Sequence, residues 1–211
     1  MGYSLYRIEN KQILMSATWR QSADHPKAAE FHKLDPGDLL IWRSRVNRLR
    51  AEQIRDAMLL VSGELNPEMG GPSVDGKVPR RSLYVIFKRN TPDSFLSAFD
   101  IANGLTSVAE RNVTTTPTQS LMMINGEFSL ARAKKFGENL KEEHQEESAE
   151  SLLADAFERT WGRAPNAEEQ SSALAFLGAA NASAPVADIQ PDALTDFCHV
   201  LLNSNEFLYV D

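Results

Sequence analysis

Apolar residues recur at steps of three and four along most of the chain, which is the period of an α-helix with one buried face. The pattern is strongest over 47–61, where Leu49, Ile54, Met58 and Val61 would share a face. Similar patterns occur over 5–20, 127–143, 152–161 and 191–202. The sequence therefore predicts a mainly α protein, built as a helical bundle-like domain.

Two stretches interrupt the helical pattern. Seven glycines and prolines fall within 63–81. They predict a long irregular loop, and loops of that length in a compact domain are usually functional or mobile. The run 83–87 (LYVIF) is β-branched and aromatic, so it predicts one buried strand. We expect at most a small β element, near 82–88, paired either with 73–74 or with part of 108–115. The alternative is an extended segment that belongs to no sheet.

The charges are distributed unevenly along the chain. The 211 residues carry 22 basic and 29 acidic side chains, a net charge of −7. Residues 1–111 hold 16 basic and 13 acidic side chains, whereas 112–211 hold 6 and 16. We expect a single domain over 1–211, with an arginine-rich lobe over 1–125 and an acidic helical lobe over 126–211. The isoelectric point near 5.2 disfavours nucleic acid as a partner.

Several kinds of site are disfavoured by what the sequence lacks. No apolar run reaches the roughly 18 residues of a membrane span, so no transmembrane segment is predicted. The single cysteine, Cys198, cannot form an internal disulfide, and no CxxCH haem motif occurs. The four histidines lack the spacing of metal ligands. No metal site is expected.

The first candidate ligand-binding group is Trp19, Arg20 and Gln21, which place an indole, a guanidinium and an amide side by side. Such groups suit stacking on a sugar or binding of a carboxylate. The alternative is a helix end in which Trp19 belongs to the core.

The second group is Arg48, Glu52 and Arg55, which are spaced to share one helical face. Three interpretations stay open. The group forms a solvated ladder of ion pairs, or a buried network that holds the long loop, or a ligand site.

The third group places cations and carboxylates around the predicted strand. Its members are Arg80, Arg81, Lys88, Arg89, Asp93, Asp100, Glu110 and Arg111. Loops that fold back could gather them around a polar pocket, in which paired carboxylates would cleave a glycosidic bond or arginines would hold a sulfate or carboxylate. Structural ion pairing is the third interpretation.

Seven segments resemble, in order, the motifs of one family. They are 14–22 (LMSATWRQS), 48–56 (RLRAEQIRD), 70–73 (GGPS), 80–84 (RRSLY), 88–90 (KRN), 111–117 (RNVTTTP) and 201–209 (LLNSNEFLY). The family is the planctomycete-type domain of unknown function found at the C-terminus of large chains that begin with cytochrome-c-like domains. The resemblance covers nearly the whole chain.

The resemblance implies a fragment of a secreted or periplasmic multidomain protein, although the sequence shows no signal peptide of its own. Haem would lie in the upstream cytochrome-c-like domain, which is the expected partner, and no cofactor is expected in this fragment. The family supplies no catalytic residues that could be carried over to this sequence.

Two hypotheses about function follow. The first is a non-catalytic binding or support module of a haem-containing protein, with a polysaccharide as a further candidate partner. The alternative is a carbohydrate-active enzyme domain that uses Asp93, Asp100 or Glu110 with neighbouring arginines. Whether the chain is an enzyme stays open at this point.

Overall fold

The computed structural model describes residues 10–88, 90–91, 93–101, 111 and 114–210. The chain divides into two compact units. The first comprises Met1–Arg48 with Tyr209–Asp211, and the second comprises Leu49–Leu208. The boundary between lobes at 125 and 126 stays a prediction, and each unit is described by itself.

The first unit has little regular structure. Residues 10–14 are helical, followed by α1 (Ala28–Leu34) and by β1 (Asn47–Arg48), which pairs antiparallel with β2 (Tyr209–Val210). The helix predicted over 5–20 is therefore confirmed only in part. The Ser16 hydroxyl donates to Ile13 O and accepts from Trp19 N, and such local bonds favour turns over helix.

Helices dominate the second unit, so the prediction of a mainly α protein is confirmed. They are α2 (Ala51–Val61), α3 (Ser94–Ala98), α4 (Pro117–Asn125), α5 (Glu127–Glu143), α6 (Ala149–Trp161), α7 (Ala167–Phe176), α8 (Pro191–Asn203) and α9 (Asn205–Leu208). Single 3₁₀ turns lie at Ser82–Tyr84 and Val186–Asp188. Among the described residues, no helix is both long and apolar enough to span a bilayer.

Side-chain caps set several helix boundaries. Thr116 and Gln119 form a reciprocal capping box at the start of α4, as Asn166 and Glu169 do at the start of α7. Gly162 ends α6 in the left-handed conformation, with φ of 72°.

The core of the second unit is centred on α5 and α8, which make the most extensive helix contact. The backbones pack closely at Gly137, where a Cβ would be in van der Waals contact with Thr195 N at 3.4 Å. Phe136, Leu140 and Leu201 are almost fully buried at or near this contact. Side chains from α2, α3 and α6 complete the same core.

The buried strand predicted over 83–87 is wrong. Ser82–Tyr84 form a 3₁₀ turn, and only Val85 makes a β-bridge, parallel to Val74. Leu83 and Phe87 are 75% and 42% exposed. A small β element near 82–88 and its pairing with 73–74 are confirmed. Ser82, at the start of the run, is hydrogen-bonded to Asp56 of α2.

Candidate functional site

Arg55 on α2 is the centre of a buried hydrogen-bond network. Its side chain is only 1% exposed. Nη1 donates to Arg80 O at 2.8 Å and to Ser82 Oγ at 3.2 Å, while Nη2 donates to Gly76 O at 2.8 Å and to Val78 O at 3.0 Å. One guanidinium therefore provides hydrogen-bond donors for several backbone carbonyls of an irregular segment.

Asp56, the next residue on α2, binds Ser82 in the segment that Arg55 holds. Its Oδ1 accepts from both the backbone N and the hydroxyl of Ser82, each at 2.7 Å. It also lies 3.5 Å from Nη1 of Arg55. Burial lowers the pKa of the Arg55 guanidinium, and the Asp56 carboxylate opposes that shift.

Arg80 organises the glycine-rich part of the loop. Its guanidinium lies 4.2 Å from the centre of the Tyr84 ring and donates to Glu68 O at 3.1 Å, Pro72 O at 3.2 Å and Gly70 O. The Tyr84 hydroxyl accepts from Gly70 N at 2.8 Å. Gly70 and its neighbour Gly71 have φ of 84° and 82°, which favour glycine. We call residues 63–88 the arginine-clamped loop.

These contacts decide between the interpretations of Arg48, Glu52 and Arg55. The solvated ladder is wrong for Arg55, because this side chain faces inward from α2 and holds the loop. Glu52 instead accepts two bonds from Nη1 of Arg111, at 2.7 and 2.9 Å. Arg48 lies in β1 of the first unit.

A pocket of about 730 Å³ lies between α2 and the far part of the arginine-clamped loop. Its lining combines apolar walls with three carboxylates and one arginine. The lining residues are Leu49, Glu52, Gln53, Asp56, Ala57, Arg81, Ser82, Leu83, Val85, Ile86, Phe87, Asp93, Leu96 and Ile101.

Two members of the third predicted group, Arg81 and Asp93, line this pocket. The Asp93 carboxylate also caps α3 by accepting from Leu96 N at 3.0 Å. Lys88 lies at the surface, 3.6 Å from the Asp75 carboxylate.

Asp100 holds the chain ahead of α4. It accepts from Thr114 N at 2.9 Å, from the Thr114 hydroxyl at 2.8 Å and from Gln119 Nε2 at 3.2 Å. Its φ of 62° is left-handed. Arg111 pairs with Glu52, as described above. Arg89 and Glu110 lie outside the residues that the structure describes.

Trp19, Arg20 and Gln21 all belong to the first unit. The Trp19 side chain is 63% exposed, so the alternative that places it in the core is wrong. Arg20 is exposed as well, and Gln21 is half-buried. The three residues occupy the turn after the helical segment 10–14.

Sequence patterns alone assign no separate role to Asp56 or Ser82, although both line the pocket and are hydrogen-bonded to each other. The position of Arg55 in the sequence could have indicated a buried polar network. It lies next to Ile54 and three residues before Met58, within the apolar face of α2. An arginine in such a face must find buried acceptors, because an unpaired buried charge is costly.

A second polar cluster joins the end of α5 to α6. Nδ1 of His144 lies 2.8 Å from a Glu147 oxygen, and Nε2 lies 2.8 Å from Asp155 Oδ2. Burial lowers the pKa of His144, but bonds to the two carboxylates outweigh burial and raise the pKa above 6.5.

The same cluster contains three side chains that offer potential metal-ligand atoms within 4.8 Å of one another: Glu143, His144 and Asp155. Sequence spacing did not reveal this grouping. Arg159 binds the carboxylates of both Glu143 and Asp155. A metal ion would therefore have to displace the guanidinium, and the observed arrangement is that of a structural ion-pair network.

The fold and the site together define a mainly α domain in which arginine side chains order an irregular surface loop. The chain belongs to the PSD1 family, described as a protein of unknown function (DUF1553), whose family model matches residues 2–177. The matched part includes α2 and the arginine-clamped loop. The resemblance to a domain of unknown function is thereby confirmed. Comparisons with curated proteins and with solved structures gave no match.

Proposed function

We propose that the chain is a non-catalytic binding and support module of a secreted or periplasmic haem-containing protein, and that the pocket is its contact surface. One observation carries the proposal. The pocket is built by a loop with many tertiary hydrogen bonds, and its carboxylates serve the protein itself while apolar side chains of its lining are exposed.

The three carboxylates of the pocket already have structural roles. Asp56 accepts from Ser82, Glu52 accepts from Arg111, and Asp93 caps α3. A catalytic carboxylate has to exchange a proton with its substrate or attack it as a nucleophile during the reaction. Carboxylates that hold backbone groups in place are better suited to fixing the shape of the pocket.

The apolar walls favour a protein ligand. Leu83 is 75% exposed, and Ile86 and Phe87 are 43% and 42% exposed. Covering apolar surface contributes about 25 cal/mol per Å². Phe87 is the one aromatic residue among those that line the pocket, so the pocket offers little stacking surface to a sugar. Trp19 and Arg20 of the first unit are exposed and suit a polysaccharide better than the pocket does.

The cytochrome-c-like domain expected upstream is the proposed partner, on the strength of the family resemblance. Isothermal titration of the chain with this haem-containing region tests the proposal. We expect saturable binding that Phe87→Asp abolishes. Leu121→Asp, which adds the same charge at an exposed leucine outside the pocket lining, should bind like the unmodified chain. No binding of the upstream region would overturn the proposal.

The carbohydrate-active alternative stays a prediction. Asp100 would have to release Thr114 to act on a substrate, and Asp93 would have to leave the end of α3. Hydrolysis of a polysaccharide panel that is lost in Asp93→Asn would favour the alternative over a binding module.

A further inference from the structure

We infer that His144 makes the corner between α5 and α6 sensitive to pH, and that loss of its proton loosens the attachment of residues 181–189 to this corner. The corner comprises residues 144–148, and we call residues 181–189 the docked segment. None of these residues lines the pocket beside α2, so this behaviour is independent of the proposed function.

The contacts of the His144 ring are those of an imidazolium. Nδ1 lies 2.8 Å from Glu147 Oε2 and Nε2 lies 2.8 Å from Asp155 Oδ2, which are both hydrogen-bond distances. An ionised carboxylate only accepts, and a neutral imidazole carries a single N–H. The imidazolium can donate to both carboxylates, whereas the neutral ring can keep only one of the two contacts. Deprotonation therefore breaks the connection that His144 makes between Glu147 in the corner and Asp155 in α6.

The charged groups around His144 come from the corner and from both helices. Glu147 faces the ring from the corner and Asp155 faces it from α6. Glu143 ends α5, and Arg159 of α6 pairs with both Glu143 and Asp155. With His144 protonated, the cluster has three carboxylates and two cations, a net charge of −1 that becomes −2 on deprotonation. The proton on His144 therefore also limits repulsion among the carboxylates.

The two carboxylates that face His144 differ in the donors that they keep after deprotonation. Asp155 still has Arg159, whose Nε lies 2.9 Å from Oδ1. Among the described residues, the Glu147 side chain keeps only the hydroxyl of Ser151, a neutral donor. Hydrogen bonds from charged donors are the stronger ones. We therefore expect the corner to move while α6, whose inner face is buried, stays in place.

The docked segment is attached directly to the corner and to the first turn of α6. Ser148 and Pro185 form an antiparallel β-bridge. The flanking backbone bonds run from Val186 N to Glu147 O at 3.3 Å, from Ala149 N to Ala184 O at 2.8 Å and from Glu150 N to Ala182 O at 3.0 Å. Movement of the corner is therefore passed on to the docked segment.

The docked segment has few other polar attachments. Lys141 of α5 donates to Ile189 O at 2.5 Å, at the far end of the segment. Asp188, the one titratable residue of the segment, makes no ion pair among the residues that the structure describes. The side chains of Val186 and Ile189 are 0% and 2% exposed. Because these side chains belong to the core, we expect a local opening near Glu147 rather than release of the whole segment.

The direction of the effect follows from the state that holds the contacts. Burial lowers the pKa of His144, but its bonds to the two carboxylates outweigh burial and raise the pKa above 6.5. The corner is therefore closed in mild acid. It loosens as the pH rises through the pKa of His144 in the folded chain.

NMR on the unmodified chain tests this behaviour in one titration from about pH 6 to about pH 9. The ring nitrogens report the proton on His144, and hydrogen exchange reports the attachment through the backbone NH groups of Ala149, Glu150 and Val186. We expect the protection factors of these amides, which remove the intrinsic pH dependence of exchange, to fall about tenfold or more. The midpoint of the fall should match the titration of His144, and the amide of Val74 in the arginine-clamped loop should not follow it.

Two variants separate His144 from other groups that titrate. His144→Gln has no ring proton to lose, so its three reporter amides should have the lower protection at every pH. Glu146→Gln removes a charge from the same corner at an exposed side chain that does not face the ring, and it should behave like the unmodified chain.

Several results would overturn the inference. One is titration of His144 without a matching change in the three reporter amides, which the unmodified chain decides even if His144→Gln does not fold. Another is an equal pH dependence of these amides in His144→Gln. A His144 ring that carries a single proton at about pH 6 would overturn it as well.

Discussion

The α5–α8 helix pair and the arginine-clamped loop are both ordered, but by different chemistry. The helix pair is held by apolar side chains such as Leu140 and Leu201, packed closely where Gly137 faces α8. The loop has almost no secondary structure and is held by the guanidinium groups of Arg55 and Arg80. Buried cations can therefore take the place of a sheet by satisfying the carbonyls of an irregular segment.

The two regions should respond differently to substitution. Apolar packing is spread over many contacts, so its loss is graded and depends on the cavity that remains. The arginine network is concentrated in a few donors. Removing one leaves several carbonyls unsatisfied together, and each carries its own desolvation penalty.

The largest effect is expected for Arg55→Met, which keeps much of the side-chain volume but loses every donor. We expect a loss of about 3–5 kcal/mol in the free energy of unfolding, measured by urea denaturation. Leu201→Ala in α8 is the matched control, with an expected loss of about 2–5 kcal/mol. Only Arg55→Met should expose the loop to limited proteolysis within 66–82. Equal protection of the loop in both variants would remove the distinction between the two regions.

A smaller effect is expected for Arg80→Met, because Arg80 holds the glycine-rich end of the loop and contacts fewer buried groups than Arg55. We expect a loss of about 1–3 kcal/mol by urea denaturation. Tyr84→Phe removes only the acceptor for Gly70 N and should cost about 1 kcal/mol or less. If Tyr84→Phe cost as much as Arg80→Met, the Tyr84 hydroxyl rather than the guanidinium would order this end.

The His144 cluster is a third kind of contact, and it depends on pH. Because the folded pKa of His144 is raised above 6.5, its stabilisation is complete below pH 6.5 and is lost as the pH rises through the folded value. The pKa of Glu147 is lowered by bonds from Ser151 and His144, so its contribution is lost in acid. The unmodified chain should therefore exceed His144→Gln in stability more at about pH 6 than at about pH 9. A difference that does not change with pH would contradict this account.

The smallest effect is expected at the Glu52–Arg111 pair. The two side chains are 28% and 33% exposed, and ion pairs so near solvent contribute little. We expect Glu52→Gln to cost about 1 kcal/mol or less, with the effect reduced further in high salt. A cost as large as that of Arg55→Met would mean that this pair also orders the arginine-clamped loop.

Much of the second unit could be predicted from the sequence, because apolar periodicity and capping residues act locally. The helices over 127–143 and 191–202 are confirmed. The buried strand predicted over 83–87 is wrong, because β-branched residues form a strand only where a neighbouring strand can pair with them. Here Ser82–Tyr84 form a 3₁₀ turn, and Ser82 is hydrogen-bonded to Asp56.

The candidate site was less predictable, because its contacts join residues far apart in the sequence. Arg55 reaches Gly76 and Arg80, and Glu52 reaches Arg111. The spacing of three and four residues left open a solvated ladder, a buried network that holds the long loop, or a ligand site, and the contacts of Arg55 are those of the buried network. The exposure of residues 39–41 was unpredictable for a different reason. Leu39, Leu40 and Ile41 suggest burial by composition, yet they are exposed in the structure.

Hydrogen exchange at single amides tests the central claim that Arg55 orders the loop and the pocket wall. The reporters are the backbone NH groups of Asn66, Val74, Ser82 and Ile86, which bond within the loop or to Asp56. In Arg55→Met we predict that these amides exchange at least a hundredfold faster, beyond the change in the amides of α5 and α8. Loss of protection in the loop that only matches the change in α5 and α8 would contradict the account.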